Sequence, residues 1–231
     1  MSPGLFTVLG VGLLLGFRHA FEPDHLAAVS TLASRQGKLW RASGLGLAWG
    51  IGHTASVGAV ALAVIAGGLR LPDRFRPAAE LVVALLLILL GLPVLVRYAR
   101  GRWHMHLHAH DGAEHLHLHS HAHGRSHTHA HLRNDLRRAI GLGVAHGLAG
   151  SAAIVVLLVA SAPTVPARLA YFGAFGAGTV VGMLLVSGGV ALLVRLASRR
   201  SARWAAALHL GSAMASVTVG LLLAGKTVSG F

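Results

Sequence analysis

The sequence predicts an all-α polytopic membrane protein with about six transmembrane helices in two three-helix inverted repeats, the first helix broken at Pro23. Three observations predict it. Of the 231 residues, 54% are hydrophobic and 12% charged, against roughly 25% charged in soluble domains, and the mean hydropathy is +0.65. Uncharged runs cover Ser43 to Leu69, Leu81 to Val96, Ala139 to Ala167, Leu169 to Val194 and Trp204 to Gly225. All but the second exceed the ~20 residues that cross a ~30 Å hydrocarbon core, and the second reaches that length from Ala78. Finally, "GLLLGFRHAFEPDHLAAV" aligns with "AIGLGVAHGLAGSAAIVV", superposing His19 on His146, and "AWGIGHTASVGAVALAV" aligns with "AFGAGTVVGMLLVSGGV", superposing His53 on Thr179. Three spans per half invert the second copy, although Gly-rich spans can resemble one another by composition alone.

The N-terminal segment has no basic leader and no small-residue cleavage site after its apolar run, so it reads as a retained first span. The expected division is a first transmembrane half (1–98), a cytoplasmic His-rich loop (99–135) and a second half (136–231). The 30 glycines, many inside the spans, predict close helix packing.

A net charge of +13 raises the question of nucleic acid, but the arginines fall in short loops between apolar runs. They read as topology signals, and no nucleic-acid partner is expected. The odd loops hold 3, 7 and 4 Lys/Arg, 14 in all, whereas the even loops and termini hold 3, 1, 0 and 1, or 5. By the positive-inside rule the His-rich loop is cytoplasmic and both termini lie outside a cytoplasmic (inner) membrane. Trp40, Trp103 and Trp204 fall at expected span ends, where amphipathic rings favour the interface with membrane lipid. Cysteine is absent, which excludes disulfides and thiolate metal sites.

The stretch "RHAFEPDH" places charge inside a greasy segment. Residues 4 to 33 as one helix would be ~45 Å long, with this cluster midway. Pro23 lacks an N–H and disfavours helical geometry at Glu22, so a break there frees the His19 carbonyl. His19 and His25 are six positions apart, so on a straight helix they would face ~120° away from each other. Only a break lets them converge. His19, Asp24 and His25, with Glu22, then offer imidazole and carboxylate ligands suited to Ni(II), Co(II) or Zn(II). The alternative is an i,i+4 pair of Arg18 and Glu22 beside histidines at an interfacial turn. His53 and His146, each within a span, are candidates to complete the metal shell or to orient it, and satisfied core histidines are the alternative. His209 has less support, and Glu80 reads as an interfacial anchor.

Between the halves lies a low-complexity segment with 12 of the 17 histidines: His104, His106, His108, His110, His115, His117, His119, His121, His123, His127, His129 and His131. It is expected to lack fixed structure without a ligand and to hold several divalent ions in interchangeable sets.

The spacing H-x4-D-H from His19 to His25 resembles the signature of the nickel/cobalt transporter (NiCoT) superfamily, including its urease-accessory-like members. "GIGHT" and "FGAGTVVGM" resemble span motifs of that family, and the His-rich loop resembles its nickel/cobalt efflux branch. The resemblance implies a permease whose metal site includes His19, Asp24 and His25. Many uptake members have eight spans, where six are counted here. The function expected is secondary transport of Ni(II) or Co(II) as substrate, with Zn(II) as a further candidate and no permanent cofactor. Export is the expected direction and protons are the expected coupling ion, because titratable ligands release protons on binding metal. Uptake, and metal delivery for urease maturation, are the alternatives. An enzyme is not expected, since the sequence has no nucleophile elbow, HExxH or phosphate loop.

Overall fold

Pro23 divides the N-terminal segment, as its missing N–H requires. The computed structural model describes residues 3–34, 36, 38–67, 72, 74–100, 104–110, 113–119, 132–161 and 164–229. Helix α1 spans Pro3–His19 and α2 spans Pro23–Ala33, with Glu22 in an extended conformation and the proline in the first turn of α2. The break does not leave the His19 carbonyl free. It accepts from the Glu22 N–H at 3.0 Å, and the Arg18 carbonyl accepts from Phe21 at 2.9 Å. Three-residue bonds thus tighten the end of α1 and replace the bond that Pro23 cannot make.

Five longer helices follow: α3 (Leu39–Gly67), α4 (Phe75–Ala99), α5 (Leu132–Ser161), α6 (Val165–Arg200) and α7 (Ala202–Ser229). Among the described residues, four helices, α3, α4, α6 and α7, are long and apolar enough to cross a membrane. Helix α5 runs to Ser161 and α6 begins at Val165, so the division falls before Arg168 rather than beside it. Thr164 caps α6, accepting from the Ala167 N–H, and Pro166 falls in the first turn; an uncharged run conceals such a stop. At its other end α6 continues through Arg195, Arg199 and Arg200, so the basic fifth loop is mostly helix.

The segment expected to lack structure carries two strands, β1 (His104–His110) and β2 (Ala113–His119). They pair antiparallel, with His104 opposite His119, His106 opposite His117 and His108 opposite His115. Alternating histidines have the strand period of two, and Asp111-Gly112 between the runs is a strong two-residue hairpin signal. His121, His123, His127, His129, His131 and Trp103 lie outside the described residues.

Many small residues face inward and many large apolar ones outward, as lipid solvation allows. Leu14, Leu85, Leu89, Leu193, Leu221 and Leu222 are exposed, while Ala20, Ala28, Ala42, Ala205 and Ala213 are buried. Glycines set the helix spacing, and their contacts come in matched pairs. A β-carbon on Gly16 (α1) would strike the Phe175 carbonyl of α6, and one on Gly143 (α5) the Trp49 carbonyl of α3. Gly178 meets Leu13 as Gly52 meets Ile140; Gly50 meets Val180 as Gly176 meets Thr54; Gly91 meets Ala213 as Gly220 meets Ala84. Exposed Trp40 and Trp204 stand in the first turns of α3 and α7. Glu80 does more than anchor a helix end: it bonds Arg76 on its own helix and accepts from Thr227 of α7 at 3.1 Å.

Candidate metal centre

The break in the first segment turns the chain so that α1 ends on His19 and α2 begins beside Asp24 and His25. His19 and His25 converge, with ring centroids 4.3 Å apart. His53 from α3 and His146 from α5 join them, their centroids 5.0 Å and 4.5 Å from that of His25. All four histidines are buried, His53 and His146 to 1% exposure. Of the sequence candidates, Glu22 and Asp24 are also in place. Glu22 lies 2.9 Å from His19 Nδ1, and Asp24 lies 3.1 Å from both His25 Nδ1 and His146 Nε2. Arg18 and Glu22 do not carry the cluster as a helix pair, since the carboxylate is turned to His19.

The polarity of these contacts matters. A carboxylate beside Nδ1 fixes the ring and leaves Nε2 for another ligand. His19 Nε2 stands 3.3 Å from His53 Nε2, and two ligands held ~2.0–2.1 Å from an ion in a tetrahedral shell are separated by about 3.3 Å. His25 Nε2, His53 Nδ1 and His146 Nδ1 are buried with no hydrogen-bond partner among the described residues. Buried polar atoms are normally partnered, so these are the atoms a cation or water would satisfy. Two donor groups result: His19, His25 and His53; and Asp24, His25 and His146. Within each, the ligand atoms lie within 4.8 Å of one another. The donors are nitrogen and oxygen only, suited to Ni(II), Co(II) or Zn(II).

Two aromatic residues of the site are not among the residues singled out from the sequence. Phe175 packs on His19 and Trp49 on His146, with centroids 5.4 Å and 5.6 Å apart, giving the centre aromatic walls. The signal was available, because the repeat alignment superposes Trp49 on Phe175. His209 stays outside the centre, where its Nδ1 lies 2.7 Å from Ser34 Oγ and helps hold the end of α2 to α7.

The sequence pattern of the NicO family, described as high-affinity nickel-transport protein, matches residues 5–228. The chain belongs to this family. The match spans the membrane helices and the histidine centre, so this NicO protein is a multi-pass membrane protein of a nickel-transport family rather than an enzyme. It is also similar to the urease accessory protein UreH of Bacillus sp. (strain TB-90), 32% identical over 196 residues, which are 85% of this chain and 81% of that protein. No solved structure matches.

Proposed function

We propose that this NicO protein is a secondary transporter that exports Ni(II) or Co(II) across the cytoplasmic membrane in exchange for protons. One observation carries the reading: the segment broken at Pro23 brings His19, Asp24 and His25 together with His53 of α3 and His146 of α5 in an N/O cluster whose four histidines are buried. Interrupted helices within a membrane are tolerated where they line a substrate site. His19, His25 and His53 serve as metal ligands, Asp24 and His146 extend the donor set, and Glu22 orients His19. Proton exchange follows because imidazoles must be unprotonated to bind. The test is Ni(II) and Co(II) flux in proteoliposomes with an imposed pH gradient. Flux driven by the gradient supports the proposal, flux indifferent to it removes proton coupling, and no flux removes transport.

The proposed architecture is two inverted halves, 1–98 and 136–231, flanking the loop at 99–135. The paired glycine contacts support it, since exchanging the halves in the alignment register maps Gly16–Phe175 onto Gly143–Trp49 and Gly50–Val180 onto Gly176–Thr54. The excess of 14 over 5 Lys/Arg supports a topology with the loop inside and both termini outside. Reporter fusions check this. A fusion near residue 112 is expected to report the cytoplasm and one at Phe231 the outside, and the opposite signals would invert the assignment.

The direction rests on the loop. Twelve histidines on the cytoplasmic side raise the local metal concentration where an exporter collects its cargo. Cells expressing the protein are expected to tolerate more Ni(II) or Co(II) and accumulate less. Deleting residues 104–131 is expected to weaken tolerance mainly at low metal, where capture limits the rate. Greater accumulation on expression would make the protein an importer. The likeness to a urease accessory protein favours a second reading, metal delivery for urease maturation. That role needs the loop and tolerates loss of the intramembrane cluster, the reverse of what a transporter requires.

A further inference from the structure

We propose that the centre holds the ion at two overlapping positions that share His25, one formed by His19, His25 and His53 and the other by Asp24, His25 and His146, and that transport hands the ion from one to the other. This rests on the metal-transport reading and deepens it.

The donors divide at the His25 ring. Its Nδ1 faces Asp24, which in turn reaches His146 Nε2, whereas its buried Nε2 has no partner among the described residues. His19 and His53 meet Nε2 to Nε2 at 3.3 Å and make neither of these bonds. A neutral imidazole has one lone pair and one N–H, so it ligates one ion at a time. Occupancy by way of His25 therefore alternates. When the ion is at Nε2 the ring N–H points to Asp24; when it is at Nδ1 the N–H is on Nε2, one proton lost and one gained.

The helix packing places the two positions as a pair. His19 and His146 superpose in the alignment. Three residues before each stands a glycine pressed on the backbone of the facing helix, Gly16 on Phe175 and Gly143 on Trp49. The two histidines thus occupy corresponding places in the two halves, with His25 between them, its ring centroid 4.3 Å from that of His19 and 4.5 Å from that of His146. The correspondence is incomplete, and the differences make the positions chemically unequal. Thr179 stands where the first half has His53, and its hydroxyl is committed to the Gly16 and Phe175 carbonyls. The position on the His146 side takes its third donor from Asp24, so one set is all nitrogen and the other contains a carboxylate. Exposure also differs along the chain of donors. The side chain of Glu22, bonded to His19, is 53% exposed, while that of His146 is 1% exposed.

Co(II) titration of the full chain in detergent, followed by its visible absorption, tests the proposal alongside flux in proteoliposomes. His25→Ala supplies the background from the His-rich loop. His53→Ala and His146→Ala are each expected to keep one intramembrane Co(II) above that background, with different spectra, while flux falls about tenfold or more. Size-exclusion chromatography checks folding, and His53→Gln and His146→Gln replace any alanine variant that fails. A single centre would lose its ion as completely in either variant as in His25→Ala, which overturns the two-position proposal, as does wild-type flux in both. A wild type that binds no more Co(II) than His25→Ala overturns the transport reading itself.

Discussion

His25→Ala stops metal movement in a protein that still folds, with flux expected to drop about a hundredfold or more. His25 belongs to both donor groups, so its loss leaves neither with three ligands. The fold should survive because the imidazole brings an unsatisfied buried nitrogen as well as packing. Removing it opens a cavity but also deletes a polar atom that burial disfavours. His19→Ala and Asp24→Ala remove one donor from one group each and are expected to abolish most flux. Glu22→Gln, which keeps shape and alters only the contact to His19 Nδ1, is expected to cost about tenfold. The order of severity is the informative result. Radiometal flux measured against the amount of monodisperse protein checks it, and near-normal flux in a well-expressed His25→Ala protein would remove this centre from transport.

The centre was largely legible because its parts are local. Pro23 forbids a continuous helix, the six-residue spacing of His19 and His25 demands a break, and a polar cluster within an apolar segment demands a purpose. The geometry between elements was not. Nothing in the sequence says that Asp24 reaches across to His146, 122 positions away, or that His53 meets His19 by Nε2. Those contacts depend on how closely α3 approaches α5 and α1 approaches α6, a distance set by which glycines face inward. Composition showed many glycines without showing which ones matter. The end of α6 was missed for a related reason. Arginines mark a polar boundary, yet helix α6 continues through them to Arg200, since a solvated helix end can carry charge. In the His-rich segment the low-complexity composition suggests no fixed structure, yet the histidines keep the period of two that a pair of strands requires.

The second large effect is structural. Gly143→Val is expected to prevent the bundle from assembling, whereas Gly141→Val, two residues away on the same helix, is expected to behave as wild type. The residue types and the change are identical, so the difference lies in what the new side chain meets. A β-carbon at Gly141 finds no atom of a neighbouring helix within 4 Å among the described residues. At Gly143 it would meet the Trp49 carbonyl at its oxygen and carbon and lie 3.1 Å from the His53 N–H nitrogen, all backbone atoms of α3. A side chain can turn away from a clash, but the backbone of a packed helix cannot move without carrying its neighbours. Overpacking of this kind costs about 3 kcal/mol or more, roughly 6–12 °C in thermal midpoint for a chain of this size. Any protein that survives should also fail in transport, because separating α3 from α5 draws His53 away from His146. Gly16→Val should reproduce both effects through Phe175 and His19. Trp49→Ala should not rescue Gly143→Val, since the obstruction is the Trp49 main chain rather than its ring. Thermal unfolding in detergent, followed by size-exclusion chromatography, measures all four variants, and equal stability of the Gly143 and Gly141 variants would show that α3 and α5 do not pack through this glycine.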